Sequence, residues 1–153
     1  MRSMTQIYMM AVFGVKYRIG LIHPGWSKEL YAVVAEVLKS MDGIMPIEIG
    51  GYKDHVHILY SSQGKVADRT VISVVKAESS KWINRNKLCL GRFGWQDGCG
   101  IFSYSKGQIE KVRNYIQNQG EHHRYVSFQE EYQSFLQRSG VDITKYSLPE
   151  DLL

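Results

Sequence analysis

Cysteine is nearly absent from this sequence: among its 153 residues there are two, Cys89 and Cys99. So few give no disulfide framework, which excludes a stapled secreted mini-domain and points to a reduced cytoplasm. A long hydrophobic run is also missing. The apolar stretch Ile7 to Val15 is too short to span a bilayer, and Lys16 and Arg18 follow it directly, the wrong flank for a signal peptide. It reads instead as a buried strand. Internal repeats and low-complexity tracts are absent too, leaving one ordinary domain, 1–153, long enough to bury a core without staples.

What is present is unevenly charged. The net charge is +4. From Arg69 to Arg124 there are ten Lys and Arg against four Asp and Glu, and from Tyr125 onward two against five. A basic middle with an acidic tail fits a protein that faces phosphate, and it fits ordinary surface scatter equally well.

The hydrophobic pattern predicts a first strand over Ile7 to Lys16, covered on both faces because polar alternation is missing. A helix follows, with Ser27 as N-cap, Leu30, Val34, Val37, Leu38 and Met41 as its stripe and Gly43 as its stop. Met45 to Ile49 and His55 to Tyr60 read as strands joined by the connection Gly50 to Asp54. Asp68 opens a second helix, with Val71, Val75 and Trp82 turned inward. Gly91 to Gly100 is a loop, and Ile101 to Tyr104 a fourth strand. Ser105 and Gln108 form a capping box for a third helix reaching about Gln119. A last amphipathic segment, Ser127 to Leu136, lies in a C-terminal helical tail after a core of about 6–124. The order β-α-β-β-α-β-α predicts an α+β, ferredoxin-like palm: a four-stranded antiparallel sheet with helices on one face.

Chemistry concentrates at Asp54-His55-Val56-His57. Alternate strand residues share a face, so the two imidazoles project together. They are candidate metal ligands, or ordinary half-buried histidines bonded to neighbours, and Asp54 either orients one of them or forms the turn. Tyr115 and Gln119, four apart, share one helical face. With Gln119 supplying an oxygen, His55, His57 and Gln119 suit Mg²⁺ or Mn²⁺, with zinc as an alternative. Tyr115 is then a candidate nucleophile toward a phosphodiester, and otherwise a packing residue. Lys16, Arg18, Lys81, Arg85, Lys106, Lys111, Arg113 and Arg124 are candidate phosphate contacts. Tyr17, Trp82, Trp95 and Tyr104 are candidate stacking platforms. His122-His123 could join the cysteines at a metal, but the spacing matches no zinc pattern and the pair stays unassigned.

These residues together resemble the single-tyrosine HUH transposases of the insertion sequence 200/605 type, including the REP-associated tyrosine transposases. The resemblance runs from about Gln6 to Leu136. It is carried by Asp-His-Val-His-Ile-Leu at 54–59, Ser-Ser-Lys-Trp-Ile-Asn at 79–84 and Trp-Gln-Asp-Gly at 95–98. Phe-Ser-Tyr-Ser at 102–105, Tyr-Ile-Gln-Asn-Gln at 115–119 and Glu-His-His-Arg at 121–124 complete it. It departs at Lys53, where many relatives have proline, and at Cys99, where an aromatic is frequent.

The resemblance implies metal at His55, His57 and Gln119, and Tyr115 as nucleophile. It implies cleavage and rejoining of single-stranded DNA with hairpin ends through a 5′-phosphotyrosine. It also implies a homodimer in which the tyrosine helix can complete its own active site or the partner's, acting in the cytoplasm and at the nucleoid when on DNA. The alternatives are a non-transposing nucleic-acid-binding or regulatory descendant, and a metal phosphoesterase without a covalent intermediate.

Overall fold

β-Branched and aromatic residues put the chain into β1 (Ile7–Gly14), whose last six residues are fully buried. Burial on both sides follows from its place in the sheet, whose order is β2-β3-β1-β4 with every neighbouring pair antiparallel. β2 is Ile44–Tyr52, β3 His55–Ser62 and β4 Gly100–Tyr104. The computed structural model describes residues 1–16 and 21–141, so the roles expected of Tyr17 and Arg18 fall outside the described residues.

Alternation along β1 separates two cores. Met9, Ala11 and Phe13 face α1 (Pro24–Lys39) and α2 (Asp68–Arg85), whereas Met10 and Val12 face α3 (Ile109–Gln117) and α5 (Phe128–Arg138). The expected α+β palm is there, but its helices cover both faces rather than one. Both faces of β1 are apolar, and leaving either in water would forfeit about 1.5–3 kcal/mol per large side chain.

Three local expectations shift. α1 begins at Pro24, and its N-cap is His23, not Ser27; the His23 ring accepts a hydrogen bond from Gly25 N–H at 2.9 Å. Proline pre-set at the first helical position explains the earlier start. In α2 the N-cap is Ala67, and Asp68 sits in the first turn, accepting from the Tyr60 hydroxyl at 2.8 Å. Gly50 and Gly51 lie inside β2, pairing with His57 and Val56, and the turn is Lys53-Asp54.

The capping residues Ser105 and Gln108 behave as expected at the entrance to α3: the Gln108 side-chain oxygen accepts from Ser105 N–H at 2.9 Å. α3 stops at Gln117, and a short α4 (Gln119–His122) follows a break at Asn118. α5 is capped by Ser127, whose hydroxyl accepts from Glu130 N–H at 3.2 Å. Among the described residues, no helix is long and apolar enough to cross a membrane.

Candidate metal and phosphotransfer centre

β3 sends His55 and His57 to the α3/α5 face, in the row that Leu59 continues, and both imidazoles are 0 % exposed. Glycines beside them make room for what covers them. A Cβ on Gly14, the β1 partner of His55, would lie 2.8 Å from the Phe128 ring. That ring stacks on His55 at 4.2 Å between centroids, 4° from parallel. A Cβ on Gly50, the β2 partner of His57, would meet the Ile116 carbonyl oxygen at 3.0 Å. The bare backbone thus lets α3 settle over the strand and brings Tyr115 in: its ring centroid is 5.7 Å from that of His57.

The break after α3 turns Gln119 inward, to 1 % exposure. Its amide nitrogen donates to the Tyr115 carbonyl at 3.3 Å, so its oxygen faces the centre. His123, one turn further on, points the same way. From the other side α5 inserts Glu131, an acid buried to 2 % exposure.

The hydrogen bonds assign lone pairs. His55 Nδ1 faces the Asp54 carboxylate at 2.8 Å and His123 Nδ1 faces the Val126 carbonyl at 2.6 Å. Both partners accept only, so each Nδ1 carries a proton, and each ring, once Nε2 is deprotonated, offers that lone pair inward. There His55 Nε2 stands 3.0 Å, and His123 Nε2 2.9 Å, from the Gln119 side-chain oxygen. Glu131 Oε1 is 2.9 Å from His57 Nε2, and its Oε2 lies 3.2 Å from His123 Nε2. One donor atom each from His55, His57, His123 and Glu131 falls within 4.8 Å of the others. With the imidazoles deprotonated, these electron-pair donors face one another and can hold a cation between them. The set fits a divalent ion, held by imidazoles that Asp54 and Val126 orient from behind.

Tyr115 stands at the edge of this cluster. Its hydroxyl donates to Glu131 Oε2 and lies 3.1 Å from His122 Nε2. Burial and the facing Glu131 carboxylate push the phenol well above its ordinary pKa. Burial alone would raise Glu131 as well, but hydrogen bonds from His123 and His57 and the charges of His57 and His55 hold it far below the carboxylate range. Burial pushes His55 down, against the opposing pull of Asp54.

The structure therefore brings His55, His57, Tyr115 and Gln119 together within one chain and adds two candidate ligands that the sequence reading leaves out, His123 and Glu131. His122 and His123 belong with Glu131 rather than with the cysteines. Cys89 and Cys99 are both free thiols, and burial raises the pKa of each.

The candidate cations divide by face. Lys81 and Arg85 are exposed on α2, behind the sheet from the histidines. Lys106, Lys111 and Arg113 flank or lie on α3, Arg124 follows α4, and Lys16 is exposed after β1. Arg113 pairs with Glu110 at 3.0 Å and Arg124 with Glu121 at 3.2 Å, bonds too exposed to hold either back from phosphate. Of the stacking candidates, Trp95 is core: its indole donates to Ser79 Oγ at 2.9 Å. Trp82 is half-buried against the same core, and Tyr104 lines a cavity beside Tyr115.

Residues 3–119 match the family model described as "Transposase IS200 like". The span takes in both strand histidines, Tyr115 and Gln119, and ends before His123 and Glu131. Among curated proteins none matches the sequence. Two solved structures share the fold. One is a protein of Deinococcus radiodurans R1 described as a "putative transposase", 15 % identical, with TM-score 0.61 over 78 % of this chain and 95 % of that one. The other is a REP-associated tyrosine transposase bound to a REP hairpin, 12 % identical, with TM-score 0.60 over 82 % of this chain and 74 % of that one.

Proposed function

This chain belongs to the IS200-like transposase family, and we propose that it cuts and rejoins single-stranded DNA by attack of Tyr115 on a phosphodiester beside a divalent metal. The observation that carries this is the meeting of inward lone pairs from His55, His123, Gln119 and Glu131 next to the Tyr115 hydroxyl. His55, His57 and Gln119 would hold the ion, Mn²⁺ or Mg²⁺, with His123 and Glu131 as further donors. When bound, the ion supplies positive charge to the scissile phosphate and to the oxygens that gain charge during transfer.

The rest is done by the chain. Tyr115 Oη forms a bond to phosphorus as the bond to the 3′ oxygen breaks, leaving a 5′-phosphotyrosine and a 3′-hydroxyl. The phenol proton has two acceptors in reach, Glu131 Oε2 and His122 Nε2. The phosphotyrosine keeps the energy of the cut ester, so the 3′-hydroxyl of a second strand can reverse the step without a nucleotide cofactor.

The hairpin carried by one structural relative makes a DNA hairpin the first substrate to try. The proposed homodimer has two free sheet edges available, β2 and β4, and need not supply Tyr115, which already sits beside its own histidines.

Incubating the full chain with Mn²⁺ and single-stranded DNA from the palindromes flanking its gene should give a covalent protein–DNA adduct that Tyr115→Phe abolishes. Cleavage surviving Tyr115→Phe would replace this reading with a phosphoesterase lacking a covalent intermediate. Hairpin binding without any cleavage would replace it with a binding protein.

A further inference from the structure

Tyr115, with side chains of α3, α5, β1 and β4, lines an open cavity of about 280 Å³. Tyr104 from β4 and Phe135 from α5 give it aromatic surface, and Gln108, Lys111 and Arg138 bring polar groups to it. It adjoins a second depression of about 470 Å³ along β4, with which it shares Tyr104, Gln108, Phe135 and Arg138. The two form a track that starts at the nucleophile.

The chemistry of the lining is specific. The Arg138 guanidinium lies 5.0 Å from the Phe135 ring centroid, and no carboxylate among the described residues pairs with Arg138 or Lys111. The Arg138 charge acts on both phenols, pulling Tyr104 and Tyr115 down against the larger effect of burial. Gln108 has its amide oxygen committed to Ser105 N–H, which leaves its NH₂ to donate. Aromatic surface, two cations with no carboxylate partner among the described residues and one fixed donor are what an unstacked nucleotide uses. The volume is just below the ~300–1,000 Å³ typical of drug-sized ligands and suits a single base.

We propose that this cavity seats the base of the nucleotide whose 5′-phosphate becomes joined to Tyr115, and that Lys111 and Arg138 hold the phosphates on either side. Gln108 then favours a base with an acceptor on its exposed edge. The proposal rests on Tyr115 being the nucleophile. It adds a protein-borne preference for the first transferred base.

Sheared single-stranded DNA from the host genome, incubated with the full chain and Mn²⁺, tests it. Adducts are trapped and the attached 5′ ends sequenced. The wild type should show a biased first base. Gln108→Ala should flatten that bias, and Tyr104→Ala should also lower adduct yield about tenfold, the size of one lost stacking contact. Lys111→Gln and Arg138→Gln should lower yield and leave the bias unchanged. An unaltered bias and yield in Tyr104→Ala and Gln108→Ala, with wild-type melting curves, overturns the proposal.

If no adduct forms even with wild type, the nucleophile reading fails separately. Titration with the four deoxynucleoside 5′-monophosphates, followed by NMR of the Tyr104 and Phe135 rings, then decides the pocket. Saturable shifts in those rings uphold a nucleotide site, and their absence overturns it.

Discussion

Glu131 Oε1 lies 2.9 Å from His57 Nε2, joining residues 74 apart in sequence, while Oε2 of the same carboxylate accepts the Tyr115 phenol hydrogen. One side chain thus touches both halves of the centre, the candidate ligands on β3 and the candidate nucleophile on α3. A buried carboxylate among imidazoles is stable only as long as that pairing holds.

Glu131→Ala should therefore destabilise the metal-free protein by about 3 kcal/mol, since it strands the polar groups that face the carboxylate. It should also weaken Mn²⁺ binding by at least about tenfold. Calorimetric melting and metal titration read the two effects separately. Wild-type metal affinity in a folded Glu131→Ala would remove Glu131 from the ligand set and leave it as a cover alone.

Asp54→Asn tests the group behind His55. The carboxylate fixes the proton on Nδ1, at 2.8 Å, and so directs Nε2 inward. An amide does this less firmly. Losing such a partner typically weakens metal binding by about 10–100-fold. The expected result is that loss in a titration with Mn²⁺, with near-native circular dichroism.

Much of this centre is legible in the sequence. Period-two spacing places His55 and His57 on one face by backbone geometry alone, whereas four-residue spacing brings Tyr115 and Gln119 together although α3 breaks at Asn118 between them. Glu131 leaves a signal of the same kind: it falls three residues after Phe128 and four before Phe135, an acid on the stripe that packs inward. His123 falls four after Gln119. What no spacing shows is that α5 folds onto the second face of the sheet, since that depends on contacts between β1, β3 and α5 far apart in the chain. The N-cap of α1 leaves no familiar sequence signal because a histidine, His23, stands where a hydroxyl is usual. The two glycines of β2 resemble a turn in the sequence, although the bare backbone of Gly50 serves the approach of α3.

Gly50→Ala checks that last role. Its Cβ would lie 2.8 Å from the Ile116 side chain and 3.0 Å from the Ile116 backbone oxygen. The backbone oxygen cannot rotate away, so α3 must shift. The expected cost is about 1–3 kcal/mol in unfolding free energy. Adduct formation should fall more than metal affinity, because Tyr115 rides on α3 and the histidines do not. Equal losses in the two measurements would mean that α3 does not position the phenol through Gly50.

The pH dependence of metal binding should be set by His123. Burial lowers its pKa, but the hydrogen bond to Glu131, that residue's charge and the Val126 carbonyl outweigh it, and the net shift is upward from 6.5. His55 is shifted downward, chiefly by burial, so it keeps its lone pair to lower pH. A ligand must lose its proton before it binds metal, so a raised pKa in the free protein makes protons compete at higher pH. Mn²⁺ affinity should therefore begin to fall while the pH is still above 6.5 and continue downward through the His123 transition. Glu131→Gln removes the charge and the strongest hydrogen bond that raise His123, and the acid limb should move to lower pH even though overall affinity drops. Titrating Mn²⁺ at a series of pH values in both proteins measures the limb. An unmoved limb in Glu131→Gln would assign the competition to another histidine.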